Sequence, residues 1–201
     1  MERTMTNKPI IFAICGPAAS GKDTLIFTHK KLSFKNVESV VHIIRQDTTR
    51  PKRSQEEDTY NFKELSDINE QDYIEYCYYK HWFYGTPREE IKEGYNLGIF
   101  SPAAIEQLLK LQDEGQIEVH IIFIQTPFLT RFARYFLREK KISFEMIRRF
   151  ISDALDFFKF KKKHSFDLIL LGKSKKCYWY FMLYLTQVHL GKISTSSFSN
   201  K

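Results

Sequence analysis

The sequence predicts an α/β fold in which one core of alternating strands and helices carries a small inserted lobe. Three observations predict it. An apolar run at residues 10–15 ends in a turn bracketed by Gly16 and Gly21 that opens a helix. Apolar and β-branched runs alternate with helix-length segments on both sides of the middle of the chain. Between them, residues 46–95 turn polar and aromatic and lose helical periodicity. A chain of 201 residues suits one such core with an insert and is short for two independent domains.

The turn after the first strand reads GPAASGKDTL, with Gly16, four residues, then Gly21 and Lys22, which is the front of the phosphate-loop pattern. Its candidate phosphate-binding set is Gly16, Pro17, Ala18, Ala19, Ser20, Gly21, Lys22, Asp23 and Thr24. The glycines let successive N–H groups point inward at a polyphosphate. The new helix adds its positive dipole end, and Lys22 reaches the outer phosphates. Asp23 stands where a hydroxyl residue would usually hold magnesium. It can ligate the ion as a hard oxygen donor, while its charge also repels bound phosphate. The plain alternative is a small-residue turn that binds nothing.

The first helix is expected over residues 22–32 and a second core strand over 38–44. In the polar segment, Arg50 and Arg53 flank Pro51, whose fixed backbone lets two guanidinium forks be placed around one anion. Glu56 and Tyr60 follow, then Glu75, then Tyr84 and Thr86 on either side of Gly85. Singly, these are ordinary surface and half-buried strand residues. Together they make a pocket of phosphate forks, carboxylates and aromatic hydroxyls.

The α/β pattern then returns, with a strand at 96–100, a helix at 102–112 and a strand at 117–124. Pro127 suits the first turn of a helix carrying Arg131, Arg134 and Arg138, the last two one turn apart on one face. A polar turn leads to a second helix with Arg148 and Arg149. A last strand at 166–171 and a helix at 175–190 complete the core. The run at 159–164 reads as the solvated end of a long helix, and 192–201 as a frayed tail without core-forming pattern.

The formal charge of +7 and the pI near 9.2 suit an anionic ligand. Lys and Arg are scattered and no nucleic-acid fold signature is present, so no nucleic-acid partner is expected. Cys15, Cys77 and Cys177 lack metal-ligand spacing, and a reducing compartment is the simplest reading. The segment MERTMTNKP has no apolar core of signal-peptide type, and the apolar stretch 178–190 is too short to span a membrane. A soluble, cytoplasmic protein without membrane partners is the expectation.

These motifs resemble those of the guanylate kinases. GPAASGKDTL is similar to that family's GPSGAGKSTL, and TTRPKR with Glu56 and Tyr60 resembles its acceptor segment. Glu75 stands nine residues before Tyr84, as in the family, and YGT is the family's tripeptide. Arg134, Arg138 and Arg149 have the family's spacing of two arginines four apart and a third eleven residues on. The resemblance runs from the first strand to about residue 190.

It implies a P-loop NTPase with a three-layer α/β/α core and parallel sheet, an inserted small NMP-binding lobe and a short helical lid. The implied division is a single domain with core 8–45, 96–133 and 150–191, lobe 46–95, and lid 134–149. The implied activity is a nucleoside monophosphate kinase using ATP as co-substrate with Mg2+, acting on GMP or a related (deoxy)nucleoside monophosphate, as a monomer or a homodimer. Lys22, Arg134, Arg138 and Arg149 would be catalytic, Arg50, Arg53, Tyr60 and Tyr84 would bind the acceptor phosphate, and Glu75, with Thr86, would hold the guanine. Glu56 would line the acceptor site, Gln46 stands where the family has a serine touching the base, and Asp23 is the implied metal position. Arg131 and Arg148 are read as ordinary surface arginines.

The chain departs from the family elsewhere. The segment between Arg53 and Tyr60 is two residues shorter than usual. Phe100, Ser101 and Pro102 occupy the place of the family's Asp-x-Asp, and Gly172 and Lys173 that of its Asn-Asp pair. Since the changes fall on base and metal contacts, phosphate chemistry is expected to survive better than guanine specificity. Two alternatives remain: a ribose bisphosphate phosphokinase of phosphonate metabolism, and a catalytically impaired guanylate-kinase-like binding module.

Overall fold

In a computed structural model, the described residues are 8–33, 41–52, 60–79, 81–139, 144–172 and 176–191. In chain order they form β1 (Ile10–Cys15), α1 (Lys22–Ser33), β2 (Val41–Ile43), β3 (Gln46–Thr48), β4 (Tyr60–Phe62), β5 (Tyr73–Tyr79) and β6 (Trp82–Pro87). There follow β7 (Tyr95–Ile99), α2 (Pro102–Asp113), β8 (Glu118–Gln125), α3 (Phe128–Glu139), α4 (Phe144–Lys163), β9 (Leu168–Leu171) and α5 (Lys176–His189). Five strands make a parallel sheet in the order β2-β7-β1-β8-β9. The chain leaves β1 toward one edge and returns to build the other, which makes the carboxyl ends of β1 and β8 a topological switch point. β1 itself is apolar throughout because it is buried, with Ile11, Phe12, Ala13, Ile14 and Cys15 fully inaccessible.

By packing, the chain divides into residues 1–12, 39–98 and 103–119, and residues 13–38, 99–102 and 120–201. The first unit contains the smaller sheet, ordered β4-β3-β6-β5. Its β5–β6 hairpin pairs Glu75 with Thr86 and Cys77 with Tyr84. Tyr76 lies in β5, and Gln107 of α2 both accepts from its N–H (3.2 Å) and donates to its carbonyl (2.7 Å), so helix and strand edge are locked together. In the second unit, β8 and β9 pair in parallel from Ile122 with Leu168 to Gln125 with Leu171. Phe128, Phe132 and Tyr135 of α3 close on the Phe150 ring of α4 at centroid distances of 5.1, 6.1 and 6.0 Å.

Most expected elements fall within a residue or two of their places. The strand expected at 166–171 begins at Leu168 instead, because Asp167 turns its side chain onto the Ile121 N–H (2.7 Å). Pro127 lies just outside α3, where its carbonyl accepts from the Arg131 N–H (3.1 Å). Residues 38–40 of the second strand and the tail at 192–201 lie outside the described residues.

Candidate functional site

The turn between β1 and α1 shows why its sequence is rich in small residues. Gly16 has φ +150, and a Cβ there would lie 2.7 Å from the Ile124 carbonyl oxygen of β8. Gly21 has φ +106, and between them Ala19 has φ +59. A left-handed alanine costs about 1–2 kcal/mol and persists only where its surroundings hold it. They do so through its carbonyls. Lys22 Nζ donates to Gly16 O (2.6 Å) and Pro17 O (3.2 Å), and Arg131 Nη1 donates to Ala18 O (3.3 Å). Arg134 Nη1 donates to Ala19 O and Ser20 O, both 3.3 Å, and Thr126 Oγ1 adds a second bond to Ser20 O at 2.8 Å. Gly21 O accepts from the Leu25 N–H of α1 (3.1 Å). With its carbonyls engaged in this way, the loop offers an anion its amides. Those in the first turn of α1 have no intrahelical acceptor by geometry.

Arg134 completes the support by donating to Gly172 O at 2.7 Å. Gly172 must be glycine here, since a Cβ would land on Thr126 Oγ1 and the Ser20 carbonyl. Gly172, the first of the two residues in the place of the family's Asn-Asp pair, is thus a close-approach position beside the loop. Desolvation holds the Lys22 ammonium below its ordinary pKa, although the side chain keeps some exposure, and Asp23 and Asp153 oppose the shift. Asp153 of α4 accepts from the Ala18 N–H at 2.5 Å and lies 3.8 Å from Arg131 Nη1. Burial raises the pKa of its carboxyl, while the Ala18 amide, Lys22 and Arg131 pull it back.

The second cluster lies in the smaller sheet. Glu75 is 2% exposed, and its Oε1 accepts from Thr86 Oγ1 (2.6 Å) and Gln46 Nε2 (3.2 Å). Gln46 also reaches Thr86 Oγ1 at 3.2 Å, closing a triangle. Burial pushes the Glu75 carboxyl up to about 7, and the hydrogen bonds from Thr86 and Gln46 limit the rise. Beside it, the fully buried Asp47 accepts from Tyr73 Oη (2.8 Å) and Asn61 Nδ2 (3.0 Å) and pairs with Lys63 (2.7 Å). Arg50, 6% exposed, places its guanidinium carbon 5.7 Å from the Tyr60 ring, and Tyr60 meets Tyr84 at 6.2 Å.

The expected residues therefore gather in two groups: the loop with Lys22 and Arg134, and Gln46, Glu75 and Thr86 with Arg50, Tyr60 and Tyr84 near them. Asp23 and Thr24 are exposed in the first turn of α1. Arg53 and Glu56 lie outside the described residues, as do the side chains of Arg138 on α3 and Arg149 on α4. One expectation is overturned: Arg131 is 5% exposed and seated against the loop, whereas Arg148 is exposed as expected. Its i, i+3 relation to Arg134 was the available signal, since residues so spaced share a helix face. Asp47 and Asp153 carried no motif at all.

A glycine turn at the switch point of a parallel sheet, with its carbonyls engaged from behind, belongs to an α/β protein of the P-loop NTPase fold. The guanylate kinase from Anaplasma phagocytophilum superposes with a TM-score of 0.59 at 14% identity, covering 94% of this chain and 89% of that one. The sequence profile of the family described as "Guanylate kinase" matches residues 6–176, and the chain belongs to that family. Guanylate kinase from Wigglesworthia glossinidia brevipalpis is 26% identical over 176 residues, 83% of this chain and 81% of the relative. That from Protochlamydia amoebophila is 27% identical over 152 residues, 73% and 75% of the two chains. The Mycoplasma genitalium enzyme is 33% identical over 131 residues, 61% and 53%. Among the described residues no helix is long and apolar enough to cross a membrane.

Proposed function

We propose that the chain is an ATP-dependent nucleoside monophosphate kinase of the cytoplasm, moving the γ-phosphoryl of ATP to GMP or a related (deoxy)nucleoside monophosphate. The observation that carries this reading is the loop whose carbonyls are engaged by Lys22, Arg131, Arg134 and Thr126, leaving amides for a polyphosphate. Family membership supports the same chemistry. The donor phosphates would bind the amides of Ala19 and residues 21–24, since those of Ala18 and Ser20 are held by Asp153 and the Pro17 carbonyl, and Lys22 would exchange the Gly16 and Pro17 carbonyls for phosphate oxygens. Arg134, Arg138 and Arg149 would neutralise charge on the transferring group, with residues 134–149 acting as a lid. Phosphoryl transfer asks little covalent work of the protein, so alignment and charge neutralisation supply the rate, and no enzyme-bound intermediate is needed.

Magnesium fits the donor set in a limited way. Among the described residues no group of three or more His, Cys, Asp or Glu could hold a metal ion. Asp23 offers one hard oxygen at an exposed position, as suits an ion shared with substrate phosphates. Bound there, Mg2+ would neutralise phosphate charge.

On the acceptor side, Arg50, Arg53, Tyr60 and Tyr84 would hold the phosphate and Glu56 would line the site. Glu75 would accept the two N–H donors on the guanine edge in its ionised form, with Thr86 and Gln46 fixing its orientation. A coupled phosphotransfer assay across the ribo- and deoxynucleoside monophosphates, with ribose bisphosphate included, tests the reading. The expected result is ATP-dependent turnover with a guanine nucleotide above the others. Turnover with ribose bisphosphate alone, or ATP binding with no transfer to any acceptor, would overturn it.

A further inference from the structure

Two side chains with no role in the site expected from sequence grip the loop at one residue. Ala18 donates its N–H to Asp153 at 2.5 Å and accepts from Arg131 at 3.3 Å, so the peptide units on both sides of its Cα are held. The next residue is Ala19, whose φ of +59 is the strained point of the turn. Arg131 is not a solvent-facing arginine lying over the surface. It is 5% exposed, its guanidinium carbon stands 4.5 Å from the Phe150 ring centroid and 5.8 Å from that of Phe128, and its Nε has no hydrogen-bond partner among the described residues.

Burying a guanidinium with a donor left over is costly, and a well-packed apolar side chain between two phenylalanines would serve stability better. The cost is intelligible if the residue is there for the loop. Asp153 supplies the matching anion from α4, so the pair adds no net charge beside the polyphosphate.

We propose that Arg131 and Asp153 are positioning residues for the phosphate loop: by holding Ala18 from both sides they fix the backbone that Ala19 must follow, and so set the affinity for the donor's polyphosphate. This rests on the donor reading of the loop given above. Loss of either grip lets the Ala18 and Ala19 peptides rotate in the free chain, and ATP must then select the competent arrangement.

The test is ATP binding by calorimetry to the wild-type chain and to Arg131→Gln, Arg131→Lys and Asp153→Asn, with folding checked by circular dichroism. Arg131→Gln is expected to weaken ATP binding about tenfold, the scale of a lost charge-assisted hydrogen bond. Arg131→Lys should recover part of that loss, because an ammonium can still reach the Ala18 carbonyl. A merely structural arginine would lower the melting temperature without this graded recovery. Asp153→Asn should weaken binding about threefold, as a neutral acceptor replaces a charged one. Unchanged affinity in folded variants overturns the proposal, and so does tighter binding by Asp153→Asn, which would make the carboxylate a competitor of phosphate. Should Arg131→Gln not fold, Asp153→Asn decides alone by the same signs. A folded wild-type chain that binds no ATP would instead overturn the donor reading itself.

Discussion

The loop between β1 and α1 and the polar cluster around Glu75 are held in shape by opposite routes. In the loop, side chains from α1, α3 and the end of β8 hold backbone carbonyls, and the main chain is what a ligand would touch. Around Glu75 the residues come from strands of the smaller sheet, and side chains hold one another: Glu75 with Thr86 and Gln46, Asp47 with Tyr73, Asn61 and Lys63. A site made of main chain tolerates changes of side chain and fails when its path is blocked. A site made of side chains can be retuned one residue at a time. Of the positions that depart from the family pattern, Gln46 is one of these linked side chains, whereas Gly172 packs against the loop backbone.

Four substitutions would break or sharpen that contrast. Lys22 is the side chain on which the loop depends for charge as well as shape, and Lys22→Met should cost roughly a thousandfold in turnover, about 4 kcal/mol. A steady-state phosphotransfer assay measures it, and a loss under tenfold would mean that the amides alone suffice. Gly172→Ala should destabilise the chain by about 3 kcal/mol, because its methyl meets the Ser20 carbonyl as well as the Thr126 hydroxyl, and the backbone oxygen cannot swing aside. Urea unfolding reads this directly, and a neutral result would show that the close approach relaxes.

Glu75→Gln probes the pocket through pH. The wild-type carboxyl is raised to about 7 in the folded chain, so its neutral form is the one that folding favours. Ionisation therefore costs stability progressively as pH rises from the ordinary carboxylate range, and in full above the folded value. The shift is worth about 3 kcal/mol at most at 1.36 per unit, and imperfect seating of the amide takes back part of it. The variant should be about 2 kcal/mol more stable than wild type at pH 8 and equal to it at pH 4. Parallel unfolding curves at all pH values would rule out the buried charge. At the small end, Ser20 is fully buried with its Oγ unpartnered among the described residues. Ser20→Ala should then change unfolding free energy by no more than about 0.5 kcal/mol. A larger loss would show that the hydroxyl has a partner the loop requires.

The same division explains what could be read from the sequence. The loop was legible because phosphate binding by main chain demands glycine at fixed spacing, and Gly16 and Gly21 have the positive φ values that this demand implies. The strands were legible where burial on both faces makes continuous apolar runs, as in Ile10–Cys15 and residues 121–124 of β8. Residue types alone put Glu75 and Thr86 among the candidates, but their roles came only from the resemblance, and nothing in local spacing says that these residues face each other across a hairpin. Arg131 was misread because helical spacing fixes which residues share a face and is silent on whether that face meets water or a loop. Asp153, a single acid in a helix, gave no signal, as its partner Ala18 lies 135 residues away.

Ser20, Thr126 and Gly172 come together with no space for even one added methyl group. Three stretches of chain remote in sequence are thereby fastened at a single knot, and length variation in this molecule has to be accommodated elsewhere. Anyone grafting a sensor module or permuting the termini should spare these junctions, because one inserted residue there would unseat the β1–α1 loop and the last sheet strand together.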